Sequence, residues 1–322
     1  MQRRDFIAAA AALAAASQVR AQGAYPTQPI RWIVPYPAGG GTDALARTLA
    51  ETMRASLGQA IVVDNRPGAS TNIGGEMVAH ARPDGYTVMS ADNAILAFNE
   101  HLYNKLPFNP QRDFSYIGAI ARFPMALVVN PGFQARTVAE FIAYAKANPG
   151  KLNYASPGNG SPHHLAMELF KNRTGTYITH IPYRGAAPAM QDVIGGQVPC
   201  MFLDLAAGLP VIQAGKVRAL AIGSSRRAPS LPQVPTLAES GVANAEVYAF
   251  QGLLGPAGLP DAIVTRLNGE LNKALATPDV QKRLADFGME SLAGTPAQFF
   301  TMAREEARRW GPIIKTAGIK LD

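Results

Sequence analysis

The chain has 322 residues, 48% of them hydrophobic and 16% charged, with a formal net charge of +7. That balance excludes an intrinsically disordered protein, and the length suffices for two domains of ordinary size. No block of consecutive Lys/Arg interleaved with aromatics occurs, which argues against nucleic acid as a partner, and a single cysteine, Cys200, excludes an intrachain disulfide.

The first segment has the pattern of an export signal. Gln2-Arg3-Arg4-Asp5-Phe6-Ile7 leads into an Ala-rich run over 8–16, and Val19-Arg20-Ala21 forms a small-x-small cleavage site. The apolar run is too short to span a bilayer. Arg3-Arg4 with Phe6 suits the twin-arginine route, and paired arginines also occur in general secretory signals, so the route stays open. Removal of 1–21 takes away three arginines and one aspartate and leaves a charge of +5. A soluble periplasmic or extracellular protein is expected, with a modest bias toward anionic ligands.

Residues 30–49 hold the first motif. Ile30-Arg31-Trp32-Ile33-Val34 reads as a buried strand. Pro35-Tyr36-Pro37-Ala38-Gly39-Gly40-Gly41 breaks regular structure, and Thr42 is placed to cap a following helix that carries Leu45 and Leu49. A strand, a glycine turn and a helix start form a potential anion site. No Gly-Lys-Ser/Thr follows the glycines, so the lysine-bearing phosphate loop is absent. Gly39, Gly41 and Ala44 fit G-x-G-x-x-A, and Asp64 ends the next strand, which makes an NAD-dependent enzyme the rival reading. Against it, Pro35-Tyr36-Pro37 separates the strand from the glycines. Asp43 reads as a first-turn charge that favours the helix dipole, since a carboxylate facing the anion would repel it.

The pattern continues with a strand over 60–64, a turn-rich loop over 65–72, a helix over 73–81 and a strand over 86–90. Alternation of strand and helix predicts a parallel sheet with helices on both faces. Ligands of such sheets bind beyond the C-terminal strand ends, here 36–42, 70–72 and 90–93. Residues 117–129 read as an extended crossing into a second domain. A helix over 137–147 has Thr137 and Glu140 as a capping box. Then the opening motif returns. Lys151-Leu152-Asn153-Tyr154-Ala155 is a strand, Ser156-Pro157-Gly158-Asn159-Gly160 a turn, and Ser161-Pro162-His163-His164 a helix start with Ser at the N-cap and Pro after it. Two such starts suggest a clamp with one anion site per jaw. Strands over 177–182, 197–203 and 216–223 alternate with helices. A surface connection over 228–240 and an extended return over 246–254 follow. Helices over 260–277, 278–287 and 296–316 close the chain, with Trp310 as a packing residue. Cys200 lies in an apolar run and reads as a buried inert thiol.

At this point the motifs resemble a family. Ile33-Val34-Pro35-Tyr36-Pro37-Ala38-Gly39-Gly40-Gly41-Thr42-Asp43 is similar to the opening signature of the tripartite tricarboxylate transporter receptors, the TctC or Bug proteins. So are Val63-Asp64-Asn65-Arg66-Pro67-Gly68-Ala69, Ala81-Arg82-Pro83-Asp84-Gly85-Tyr86-Thr87, Tyr154-Ala155-Ser156-Pro157-Gly158, His180-Ile181-Pro182-Tyr183-Arg184-Gly185, Gly195-Gly196-Gln197-Val198, Leu231-Pro232-Gln233-Val234-Pro235-Thr236 and Pro256-Ala257-Gly258. The resemblance covers nearly the whole chain after the signal, in order. It implies an α/β, two-domain periplasmic-binding-protein fold. Each domain is a mostly parallel sheet flanked by helices, with a ligand cleft between them. Domain 1 is expected at 22–126 plus 250–322 and domain 2 at 127–249.

The same resemblance implies a receptor, without catalysis or cofactor, that closes on a small organic carboxylate and docks transiently on a membrane transporter or a sensor. A monomer is expected. By position, the family's carboxylate-holding groups fall on Tyr36, Pro37, Ala38, Gly39, Gly41 and Thr42, on Ser70, Thr71 and Asn72, and on Ser156, Gly158, Gly160, Ser161 and His164. Asp204 falls where the family selects its ligand. It can meet a ligand amine or hydroxyl, or cap the next helix. Asn93 and Phe250 are further pocket candidates, Phe250 standing where tryptophan is common and Ala38 where proline is. Arg184 replaces a common lysine and either reaches a ligand carboxylate or pairs with a surface acid. His163 and His164 are adjacent and so point to different faces. His164 with Glu168 has helical spacing but no third metal ligand, which leaves a helix-start histidine donating to ligand or backbone. Ser161 with His164 is not a nucleophile pair, since no G-x-S-x-G elbow exists.

Overall fold

The computed structural model describes residues 25–286 and 288–321; the expected export signal lies outside them. β1 (Ile30–Val34) is buried almost throughout, and the glycine turn delivers the chain from it to α1 (Gly41–Leu57). β2 (Ile61–Asn65), α2 (Asn72–Ala79), β3 (Thr87–Asp92) and the short α3 (Asn99–Leu102) follow. β1 runs parallel to both β2 and β3, with Ile33 level with Asp64 on one side and Met89 on the other. β2 is the sheet edge and leaves Val62 exposed. A strand buried on both faces tolerates a continuous apolar run, hence Ile30, Trp32, Ile33 and Val34.

β4 (Phe114–Val129) is the long crossing strand. The chain then forms α4 (Val138–Ala147), β5 (Asn153–Ser156), α5 (Pro162–Thr174), β6 (Thr179–Pro182), α6 (Ala186–Ile194), β7 (Cys200–Asp204), α7 (Leu205–Gln213) and β8 (Arg218–Ile222). β5 is parallel to β6 and β7, so the second half repeats the parallel unit of the first. The chain returns through β9 (Tyr248–Pro256) and ends with α8 (Asp261–Ala276), α9 (Pro278–Asp286), β10 (Glu290–Ser291) and α10 (Pro296–Thr316).

The centre of the sheet is antiparallel. β9 lies between β3 and β4, and β4 changes partners along its length: Phe114–Pro124 pair with β9, and Met125–Val129 pair with β7 and β8. Two parallel units are thus joined by crossing strands into a mixed sheet with the path β2-β1-β3-β9-β4-β7-β5-β6. One apolar cluster runs through both halves, with Trp32, Leu49, Phe98 and Trp310 in the first and Phe141, Tyr154, Phe170 and Phe202 in the second. Trp310 packs edge-on against Phe98 at 5.2 Å. Cys200 is fully buried, and burial pushes its thiol well above the ordinary range, which suits an inert role. Among the described residues no helix is long and apolar enough to cross a membrane.

Candidate functional site

Three helix starts meet where the two halves face each other. α1 begins at Gly41 with Gly40 as its N-cap and no side chain capping it. The expectation that Thr42 caps this helix is therefore corrected. Thr42 already lies inside the first turn, and its hydroxyl accepts from Gln251 Nε2 at 2.5 Å. An uncapped first turn turns its free backbone N–H groups outward, where an anion can take them. Pro37, Ala38 and Gly39 are exposed along the turn above it. Asp43 points back into the protein. Its carboxylate accepts from Gly39 N, Asn65 Nδ2 and Arg47 Nε at 2.9, 3.0 and 3.0 Å. Burial opposes its charge, but those hydrogen bonds outweigh burial and hold the carboxyl below its ordinary value. Asp43 thus tightens the turn and stays off the anion.

α5 starts at Pro162 with Ser161 at the N-cap, its hydroxyl accepting from His164 N at 3.3 Å and donating to the Gly158 carbonyl at 2.8 Å. α7 starts at Leu205 with Asp204 at the N-cap, one oxygen accepting from Ala207 N at 2.9 Å. The other oxygen accepts from His163 Nε2 at 3.0 Å. Of the two roles open for Asp204, capping is the one observed. Burial raises its carboxyl, and the His163 hydrogen bond with the backbone N–H of Ala207 more than reverses that. A Cβ added at Gly41 would lie 3.6 Å from the Ala206 Cβ, an ordinary contact distance, so the α1 and α7 starts lie close together.

The turn before α5 touches the first half directly. Ser70 Oγ donates to the Asn159 carbonyl at 3.1 Å, and Gly160 seats against Leu102 and Leu321. Ser70 is held from behind: Ala69, Ser70 and Thr71 all have positive φ (46°, 48° and 77°), and Asn99 Nδ2 donates to the Ser70 carbonyl and to Asn72 Oδ1. Three successive non-glycine residues in this region cost energy that the surrounding hydrogen bonds must offset.

Other carried-over residues have structural partners. Ser156 Oγ is hydrogen-bonded to His180 Nε2 at 2.6 Å and accepts from Gly158 N at 3.1 Å. His164 Nδ1 accepts from Gly160 N at 3.0 Å, so toward the backbone of its own turn the ring accepts where donation was one of the expectations, and it stacks on His180 at 4.0 Å. Burial, with Lys171 nearby, lowers His164 to about 4 and keeps it neutral. Tyr36 donates its hydroxyl to Asp92, and burial raises both groups. Arg184 is exposed and has no hydrogen-bond or ion-pair partner among the described residues; its loop folds onto the turn below it through Gly185 N and the Pro157 carbonyl at 3.0 Å. Asp64, which the dinucleotide reading needs free, accepts from Arg31 Nε at 2.7 Å and from Arg66 Nε at 3.1 Å. Among the described residues no three His, Cys, Asp or Glu gather as a metal site.

The family model described as the tripartite tricarboxylate transporter family receptor matches residues 45–319. The chain belongs to that receptor family. Protein BugT of Bordetella pertussis is 38% identical over 298 residues, covering 92% of this chain and 91% of BugT. Among solved structures, R. palustris Rpa4515 with adipate is 37% identical at a TM-score of 0.88, over 92% of this chain and 99% of its own. MatC (Rpa3494) from Rhodopseudomonas palustris with bound malate is 32% identical at 0.84, over 90% and 100%.

Two of this receptor's pocket candidates serve the crossing strands. Asn93 is fully buried; its Nδ2 donates to the Tyr248 carbonyl at 3.2 Å and its Oδ1 accepts from Phe250 N at 2.8 Å. Phe250 packs in an apolar cluster with Ile33, Met89, Ile95 and Phe299. Two residues beside the helix starts were not among the binding candidates: Gln251, against Thr42, and His163, weighed only with His164 as a metal ligand and here held by Asp204. Gln251 follows Phe250 in β9, where strand alternation sends it to the opposite face, beside the α1 start. That alternation was the available signal. His163 gave none beyond its place in the first turn of α5.

Proposed function

We propose that this protein is a periplasmic receptor that captures a small organic carboxylate between two lobes and presents it to a membrane transporter. The observation that carries this reading is the uncapped start of α1, set against the α7 start of the other half. Backbone N–H groups and the helix dipole there favour a carboxylate. The carboxylate ligands named for two similar structures, adipate and malate, support the same chemistry. Lobe boundaries near 126 and 250 fit the partner change of β4 at Met125 and the return through β9. The crossing strands then act as the hinge. The lobes work as a monomer, and their closed form is what a transporter recognises. An N-terminal signal removed after 21 delivers the protein to the periplasm.

Thermal unfolding with citrate, succinate, adipate, malate, nicotinate, terephthalate and NAD tests the reading. A ligand at a hundred times its Kd adds about 2.7 kcal/mol of stability. A rise in Tm with one or more carboxylates, reduced in Thr42→Ala, is expected. A rise with NAD alone would restore the enzyme reading and make Asp64 the residue to mutate; no rise with any carboxylate would sink the receptor reading.

A further inference from the structure

Gln251 and Asp92 are register partners across β9 and β3, and side chains directly opposite in an antiparallel pair share one face of the sheet. Both are buried, Gln251 at 2% and Asp92 at 6% exposed. Each holds one end of the glycine turn that leads into α1. Asp92 accepts from the Tyr36 hydroxyl where the turn begins, and Gln251 Nε2 donates to Thr42 Oγ1, at 2.5 Å, where it ends. β9 is also paired with β4, where Gln251 lies level with Ala121, so the strand that carries the amide is fixed from both sides. Gln251 Oε1 has no hydrogen bond, which leaves Thr42 as the one partner of this buried amide among the described residues.

The direction of that bond sets what Thr42 can do. A hydroxyl has one proton to give and lone pairs to accept with. Thr48 and Thr52, later in α1, give their protons to the carbonyls of Ala44 and Thr48, four residues back. Thr42 is the second residue of the helix and has no helical turn behind it. Its oxygen takes the amide proton, and among the described residues no acceptor takes its own. Thr42 is also only half-buried. We propose that Gln251 is a positioning residue for ligand capture: by donating to Thr42 it leaves the Thr42 proton for the ligand carboxylate, beside the free N–H groups of the first turn. The inference rests on the receptor reading above. An ionised carboxylate only accepts, so a Thr42 that gave its proton to the protein would offer the ligand nothing but lone pairs. Gln251 acts through Thr42 and need not touch the ligand.

Isothermal titration with the carboxylates of the thermal series (citrate, succinate, adipate, malate, nicotinate and terephthalate) tests this on the wild type, Gln251→Glu, Gln251→Met, Thr42→Val and the double variant Thr42→Val/Gln251→Met. Gln251→Glu has the same shape but accepts the Thr42 proton. It is expected to weaken each carboxylate that the wild type binds by more than about tenfold. Gln251→Met removes the donor and is expected to weaken binding by about three- to tenfold. Thr42→Val is expected to lose about tenfold, and the double variant to match Thr42→Val within about twofold, because Gln251 works through Thr42. Losses that multiply in the double variant mark a merely structural Gln251 and overturn the assignment, as does wild-type affinity in Gln251→Glu; either result leaves the receptor reading standing. Should Gln251→Met not fold, the same cycle is run with Gln251→Glu, whose loss is expected to shrink in the Thr42→Val background; an unchanged loss overturns the assignment. If none of the six carboxylates binds the wild type, the receptor reading falls and the positioning role with it.

Discussion

His164 and His180 stack 4.0 Å apart with their rings nearly parallel, and both are held neutral. Burial is the main cause for each; Lys171 adds to it at His164, and His164 adds to it at His180, which is lowered to about 3. Both values lie below the ordinary 6.5, so the unfolded chain binds more protons between about pH 4 and 6.5. Their contribution to stability is therefore complete above about pH 6.5 and is lost as the pH falls toward 4. His164, the more buried, gives a slope of up to about 1.4 kcal/mol per pH unit, and the partly exposed His180 gives less. Denaturant melts at pH 7, 5.5 and 4.5 are expected to show this decline, and His164→Asn, which keeps an acceptor for Gly160 N, is expected to flatten it. Ser161 offers a separate test. Loss of its cap in Ser161→Ala should cost about 1 kcal/mol, and Ser161→Asp should restore most of it in the same melts.

Among the elements, the turn before α5 and the end of β3 carry opposite duties. Gly160 has φ of 73°, and a Cβ there would lie 2.8 Å from Leu102 Cδ1 and 2.9 Å from Leu321 Cδ1. Gly160→Ala therefore meets both backbone strain and a clash across the cleft. It is expected to separate the halves, read as a larger radius of gyration in X-ray scattering and weaker ligand binding, with the melting of the rest of the fold little changed. Asn93 does the reverse and holds β3 to β9. Asn93→Ala leaves the Tyr248 carbonyl and the Phe250 N–H without their partner and should cost about 1–3 kcal/mol. Were Asn93 a ligand contact alone, the variant would keep its Tm and lose only affinity.

Across the whole molecule, stability and the proposed closure draw on different contacts. The apolar cluster through β4 spans both halves, so unfolding is expected to be cooperative even though the cleft contacts are few. The approaches between the halves are small: Gly41 beside Ala206, Ser70 bonded to Asn159, Gly160 against Leu102 and Leu321. Such a seam can open without disturbing the core. Scattering of the free protein with and without a saturating carboxylate is expected to show contraction on binding. An unchanged radius of gyration would mean that the ligand does not drive closure.

Much of the site's framework was legible because it is local. Ser161-Pro162 announces a capped helix start through backbone geometry that depends on a few neighbouring residues. Gly39-Gly40-Gly41 announces a turn, and the alternation of strands and helices announces the parallel units, for the same reason. What a side chain does once the units are assembled was not legible. Thr42 is not a cap because the helix begins one residue earlier and Gln251, 209 residues away in the chain, reaches its hydroxyl. Asn93 ties the end of β3 to β9 and Phe250 packs in an apolar cluster, contacts that only the antiparallel pairing of β3 with β9 creates. Gln251 and His163 come from different halves of the chain, one partnered by Thr42 and the other by Asp204. Their unpartnered atoms exist only after burial removes water, and burial is a property of the assembled fold.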